Sequence, residues 1–142
     1  MGGRFANLWQ KLRTRLSRTS QSEKTSGYRS GLAAERIVRE RLAAAGCEII
    51  GSRCPGIRGS GAGEIDIIAK KGRLIVFVEV KKRRNLDLAA QCVAPAQQER
   101  IYRNAEAFLA RHKEYRGFDC RFDAALLDGE YRLEYIENAW RT

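Results

Sequence analysis

A chain of 142 residues is the size of one ordinary domain, long enough for a single core but not comfortably for two. A hydrophobic share of 44% with only two prolines argues against wholesale disorder, and no apolar run approaches the ~18 residues of a membrane-spanning helix. The formal net charge of +10 is uneven, since residues 1–30 hold seven Lys/Arg against one acid, Glu23. Such a chain draws polyanions through its field and through counterion release, which makes nucleic acid the first partner to expect and an anionic membrane the second. Simple solubility is the plain alternative.

In chain order, Phe5, Leu8, Trp9, Leu12 and Leu16 recur at helical spacing, with Arg4, Lys11, Arg13, Arg15 and Arg18 on the other faces. This reads as a basic amphipathic helix that docks on its own domain or stays disordered, with an anionic membrane, a nucleic-acid backbone or a protein partner as the special alternatives. Residues 17–27 are polar and read as a flexible linker, dividing the chain into a tail, 1–27, and a domain, 28–142. Ser30 is a candidate N-cap for a helix running to Ala45, which Gly46 ends. A strand is expected over 47–52, then a Gly-rich loop over 55–63, a strand over 64–70, a turn at Lys71-Gly72 and a strand over 73–81. After a polar loop, Pro95 suits the first turn of a helix with the stripe Ile101, Ala105, Phe108, Leu109 and His112. Two strands, 120–127 and 131–136, flank a turn at Asp128-Gly129. The order is α-β-β-β-α-β-β.

The cysteines, Cys47, Cys54, Cys92 and Cys120, are widely spaced and the one histidine is His112, a pattern unlike a zinc site. They read as reduced thiols, mostly filling core, in a cytoplasmic protein. The Gly-rich loop lacks the Gly-Lys-Ser/Thr ending of a nucleotide-binding loop, and His112 on an apolar helix face reads as packing.

With the hairpin turning at Lys71-Gly72, Asp66 opposes Phe77 and Glu64 opposes Glu79. Glu64, Asp66, Glu79 and Lys81 then share one face, while Ile65, Ile67, Leu74, Val76, Val78 and Val80 fill the other. Asp66 and Glu79 become diagonal neighbours, roughly 7–8 Å apart at the backbone, within reach of one ion. Hard carboxylate oxygens without His or Cys select Mg²⁺ or Mn²⁺, and Lys81 two residues on would sit beside the metal. Glu35 lies on the stripe of its helix that includes Ala34, Val38 and Leu42, where a carboxylate needs a partner. A cross-strand ion network of Asp66 with Lys81, and a helix-edge pair of Glu35 with Arg36 or Arg39, are the plain alternatives.

The ordered set Gly31-x-x-Ala34-Glu35, Gly63-Glu64-Ile65-Asp66-Ile67-Ile68-Ala69, Val76-Phe77-Val78-Glu79-Val80-Lys81-x-Arg83, Phe122-Asp123 and Ile136-x-Asn138-Ala139 resembles the uncharacterised bacterial YraN-like family. That family looks like a branch of the PD-(D/E)XK nuclease superfamily, akin to archaeal Holliday junction resolvases. The resemblance covers roughly residues 28–140 and implies a restriction-endonuclease-like αβββαβ core, with a mixed central sheet flanked by helices. It implies that Asp66, Glu79 and the Val80 carbonyl hold Mg or Mn, that Lys81 is the catalytic lysine, and that Glu35 reaches the metal directly or through water. Gln97, Arg58, Arg83 and Arg100 are the expected contacts to DNA. Resolvase relatives act as dimers, so a homodimer is compatible with the resemblance. Relatives usually carry Lys where this chain has Gln97, which removes a phosphate contact. The expected activity is metal-dependent endonucleolytic hydrolysis of DNA, with branched intermediates as a candidate substrate. The alternative is a nucleic-acid-binding module that keeps the nuclease fold without cutting.

Overall fold

The computed structural model describes residues 27–52 and 65–140. The amphipathic tail, Cys54, Arg58, the Gly-rich loop and Glu64 lie outside them. Helix α1 (Gly27–Ala44) leads into strand β1 (Glu48–Ser52), the hairpin β2 (Ile67–Lys71) and β3 (Leu74–Lys82), and the helices α2 (Leu86–Gln91) and α3 (Pro95–Arg111). A 3-10 turn, Lys113–Tyr115, precedes β4 (Asp119–Leu127) and β5 (Leu133–Ile136). The strands lie in the order β1-β2-β3-β4-β5, with β3 and β4 parallel and the other pairs antiparallel. A parallel neighbour needs a long crossover, which α2 and α3 supply. This is an α/β fold with a mixed sheet flanked by helices, in the αβββαβ order of the restriction-endonuclease-like core.

Two apolar layers hold the sheet. Ala34, Val38 and Leu42 of α1 pack on Ile67, Ala69, Val76, Val78, Val80, Ala125 and Leu127. On the opposite face, α2 and α3 place Ala89, Ala90, Ile101, Ala105 and Phe108 against Ile68, Ile75, Phe77, Phe122, Ala124 and Leu126. A central strand covered on both sides explains why β3 reads as a nearly continuous apolar run rather than a strict alternation.

Local chemistry sets several boundaries. Helix α1 begins at Gly27, so Ser30 lies inside it rather than at its cap. It closes in a Schellman arrangement, Cys47 N–H to Leu42 O at 2.9 Å and Gly46 N–H to Ala43 O at 3.0 Å. The hairpin turns at Gly72-Arg73, one residue later than expected, with Lys71 facing Leu74. Gly72 thereby takes the first central position at φ 57°, the place where a type II′ hairpin turn needs positive φ. The shift keeps the parity of facing residues, so Ile67, Leu74, Val76, Val78 and Val80 share a face as expected. Ile65 does not, and packs with the α3 layer ahead of the first paired residue of β2.

Helix α2 replaces part of the expected polar loop, capped by Asn85 Oδ1 accepting the Leu88 N–H at 2.9 Å. Its capping residue was readable; its single turn and a half has too few apolar positions to show a period. Strand β5 starts at Leu133, leaving Tyr131 and Arg132 in the turn. Cys47 is partly buried and packs against the α1-side layer, whereas Cys92 is partly buried outside both layers and Cys120 is exposed, so of these three free thiols only Cys47 joins the core.

Asp123 on β4 is buried at 0% exposure yet fully engaged. Arg121 Nε and Nη2 donate to its two oxygens at 2.8 and 2.9 Å, the Tyr135 hydroxyl donates at 2.6 Å and the Asn138 N–H at 2.9 Å. Burial first, then the Asp123 charge, raises the Tyr135 phenol above its ordinary range, so it remains a donor. With the Ala139 N–H donating to Phe122 O at 2.7 Å, these bonds clamp the end of the chain to β4. Asp123→Ala should lower stability by about 2–4 kcal/mol in urea unfolding, because it strands donors built around a charge. A loss below about 1 kcal/mol would show that the clamp is dispensable.

Candidate metal centre

The central strand carries Glu79 into the interior. Its side chain follows Ile75 and Phe77 onto the face covered by α3, and the residue is 2% exposed. Asp66 stands immediately before β2, and the observed register runs it toward Glu79 rather than toward Phe77. It is 5% exposed and its Oδ2 accepts the Val80 N–H at 2.8 Å. In an extended strand the N–H and C=O of one residue point to the same side, so the Val80 carbonyl also opens toward Asp66. Lys81, two residues beyond Glu79 on the same face, sets its Nζ 3.0 Å from Glu79 Oε1. The other oxygen, Glu79 Oε2, is buried with no hydrogen-bond partner among the described residues.

The electrostatics follow from this packing. Burial, and next the Asp66 charge, push the Glu79 carboxyl up to about 7, against the pull of Lys81 and Arg100. Arg100 enters from the first turns of α3, where its Nε donates to Gln97 Oε1 at 2.7 Å. The family resemblance marked Gln97 and Arg100 separately as DNA contacts; their i,i+3 relation on one helix was the signal that they act together. Gln97 orients Arg100, and the arginine supplies the positive field at Glu79.

The other expected site residues are placed differently. Glu35 is half-buried on α1, the helix that packs against the face opposite Glu79. Arg83 follows β3, exposed, with its guanidinium on the Lys82 carbonyl at 2.6 Å. His112 packs, its ring stacked on Phe108 with centroids 4.0 Å apart. Among the described residues no group of three or more His, Cys, Asp or Glu side chains stands together as a metal cluster. The donors that would face an ion here are two carboxylates and, by strand geometry, the Val80 carbonyl. A hard divalent cation fits them: all donors are oxygen, the two acids repel each other, and one buried carboxylate oxygen is unclaimed.

Fold and site together define an α/β protein with a carboxylate pair and a lysine at the end of its central hairpin. The chain belongs to the family described as uncharacterised protein family UPF0102, whose model matches residues 34–127, a span that includes Asp66, Glu79, Lys81, Arg100 and Asp123. It is 43% identical over 117 residues to a UPF0102 protein of Paramagnetospirillum magneticum, covering 82% of this chain and 90% of that one. A Bradyrhizobium relative is 43% identical over 111 residues, 78% of this chain and 79% of its own, and one from Dinoroseobacter shibae 37% over 123 residues, 87% and 89%. No described helix is long and apolar enough to cross a membrane.

The raised Glu79 carboxyl makes stability depend on pH. Between about 4.5 and 7 the folded chain keeps a proton that the unfolded chain releases, so stability falls as pH rises through that window. Glu79→Gln removes the buried charge. In metal-free buffer at about pH 8 it should stabilise the fold by on the order of 1–3 kcal/mol, shrinking as pH falls toward 4.5. Thermal melts across the range decide it, and a pH-independent difference would refute the assigned cause.

Proposed function

We propose that the chain is a Mg²⁺- or Mn²⁺-dependent endonuclease acting on the phosphodiester bonds of DNA. The observation that carries this reading is the Glu79 carboxylate, buried beside Asp66 with one oxygen on Lys81 and the other unclaimed. Asp66, Glu79 and the Val80 carbonyl would hold the ion, which when bound supplies Lewis acidity toward a phosphate oxygen and toward water. The chain's own groups supply the rest. Lys81, restrained by Glu79, holds an ammonium where negative charge develops on the phosphate, or orients the attacking water. Arg100, restrained by Gln97, adds a second cation from α3, so this region keeps a positive group although position 97 is not lysine. Glu35 takes a supporting role from the opposite side of the sheet. The excess of basic residues holds the phosphate backbone, which makes binding salt-dependent.

The alternative, a binding module that no longer cuts, is favoured by Gln97, which brings no cation of its own and whose carbonyl accepts from Arg100. Salt-sensitive DNA binding, with no calorimetric signal for Mg²⁺ or Mn²⁺ even when DNA is present, identifies it.

Labelled branched, single-stranded and duplex DNA incubated with Mn²⁺ should be cut. Asp66→Ala, Glu79→Ala and Lys81→Ala should each slow cutting by about a hundredfold or more, with Glu35→Gln costing less. Metal-dependent cutting that survives Asp66→Ala and Lys81→Ala together would sink the assignment.

A further inference from the structure

At the end of the sheet where β3 and β4 finish together, the connection from β4 to β5 is a built turn rather than a loose one. Asp128 Oδ1 accepts the N–H groups of Glu130 and Arg132, both at 2.9 Å, and the Asp128 N–H donates to Arg132 O at 3.1 Å. The Gly129 N–H donates to Arg84 O at 3.2 Å, and a Cβ on Gly129 would meet that oxygen at 3.3 Å, so the turn seats closely on the chain leaving β3. Its apex is Tyr131.

Tyr131 breaks two rules at once. It is the one large hydrophobic side chain left exposed among the described residues, at 38%. It also holds φ 61°, a left-handed conformation that is unusual for an aromatic residue and persists where surrounding bonds impose it. Lys82 Nζ stands 4.6 Å from the ring centroid, over one face. Lys82, Arg83 and Arg84 run past it in sequence, while the nearby acids are engaged, Glu130 with Arg132 at 2.7 Å and Asp128 with backbone N–H groups.

An exposed aromatic ring flanked by cations is the arrangement on which an unpaired base stacks while its phosphates meet the positive groups. Lys82 is three residues beyond Glu79 on the same strand, about 10 Å along it at the usual strand rise, with its side chain on the α1 face beside Leu127, so a strand that leaves the metal centre round the end of β3 meets the ring. A fully paired duplex hides the faces of its bases and offers this ring nothing but its ends. We infer that Tyr131 is a stacking post for an unpaired base of a strand that rounds the end of β3 from the cut site, and that the chain selects DNA with unpaired nucleotides there. This rests on the proposed nuclease reading and adds its substrate class.

Fluorescence anisotropy of the full chain without divalent metal tests it, with labelled single-stranded, splayed-fork and blunt duplex DNA as probes. Tyr131→Gly removes the ring while suiting the positive φ, so the turn should persist, and thermal melts check that it does. Tyr131→Gly should weaken binding to the single-stranded and forked probes by about tenfold or more, with duplex binding nearly unchanged, and Tyr131→Trp should retain the preference. Equal affinity of Tyr131→Gly and the parent chain for the forked probe overturns the inference alone. A parent chain that neither binds any probe nor cuts with Mn²⁺ overturns the nuclease reading with it.

Discussion

Glu79 is drawn into the interior because β3 is the central strand, paired along both edges and covered on both faces, and alternation leaves an odd-numbered side chain no other direction. A carboxylate there loses hydration, and Asp66 adds a like charge from the start of β2. Every other polar feature of the site answers this cost: Lys81 is placed against one oxygen, Arg100 lends its field from α3, and Gln97 holds Arg100. The remaining oxygen is where the compensation stops.

The same sheet contains a second buried acid that makes the contrast plain. Asp123, on the other face of β4, is as deeply buried as Glu79, but its oxygens accept from a guanidinium, a phenol and a backbone N–H. Nothing is left for a ligand, and the result is a clamp that joins β4, β5 and the end of the chain. Glu79 meets one cation at hydrogen-bonding distance. Two buried carboxylates on one sheet thus differ, one fully satisfied and one left with an oxygen unclaimed, and the difference lies in their donors rather than in their depth.

The end of the sheet where β3 and β4 finish gathers Lys82, Arg83, Arg84 and the strained turn bearing Tyr131. Because β3 and β4 are parallel, their carboxyl-terminal ends arrive together, and the segments that follow each strand meet there. The carboxylate pair therefore stands on or beside rigid strands, while Arg83, Arg84 and the exposed Tyr131 ring stand on the turn and the chain that follow them.

Hydrophobic periodicity, turn residues and caps are local properties, and they were enough to set the order of strands and long helices and the parity that puts Glu79 and Lys81 on one face, while the ordered motifs carried the resemblance to the family. The hairpin register was off by one position in the turn, because a Lys-Gly or a Gly-Arg turn is decided by which residue takes positive φ. Helix α2 escaped because six residues hold too little period to read. Only the tertiary structure decided that both faces of the sheet are buried, that α1 and with it Glu35 stand on the opposite face from Glu79, that Gln97 serves Arg100, and that Tyr131 is left in solvent. These depend on which elements cover which face, and that follows from packing between segments distant in sequence, a property that no local pattern carries.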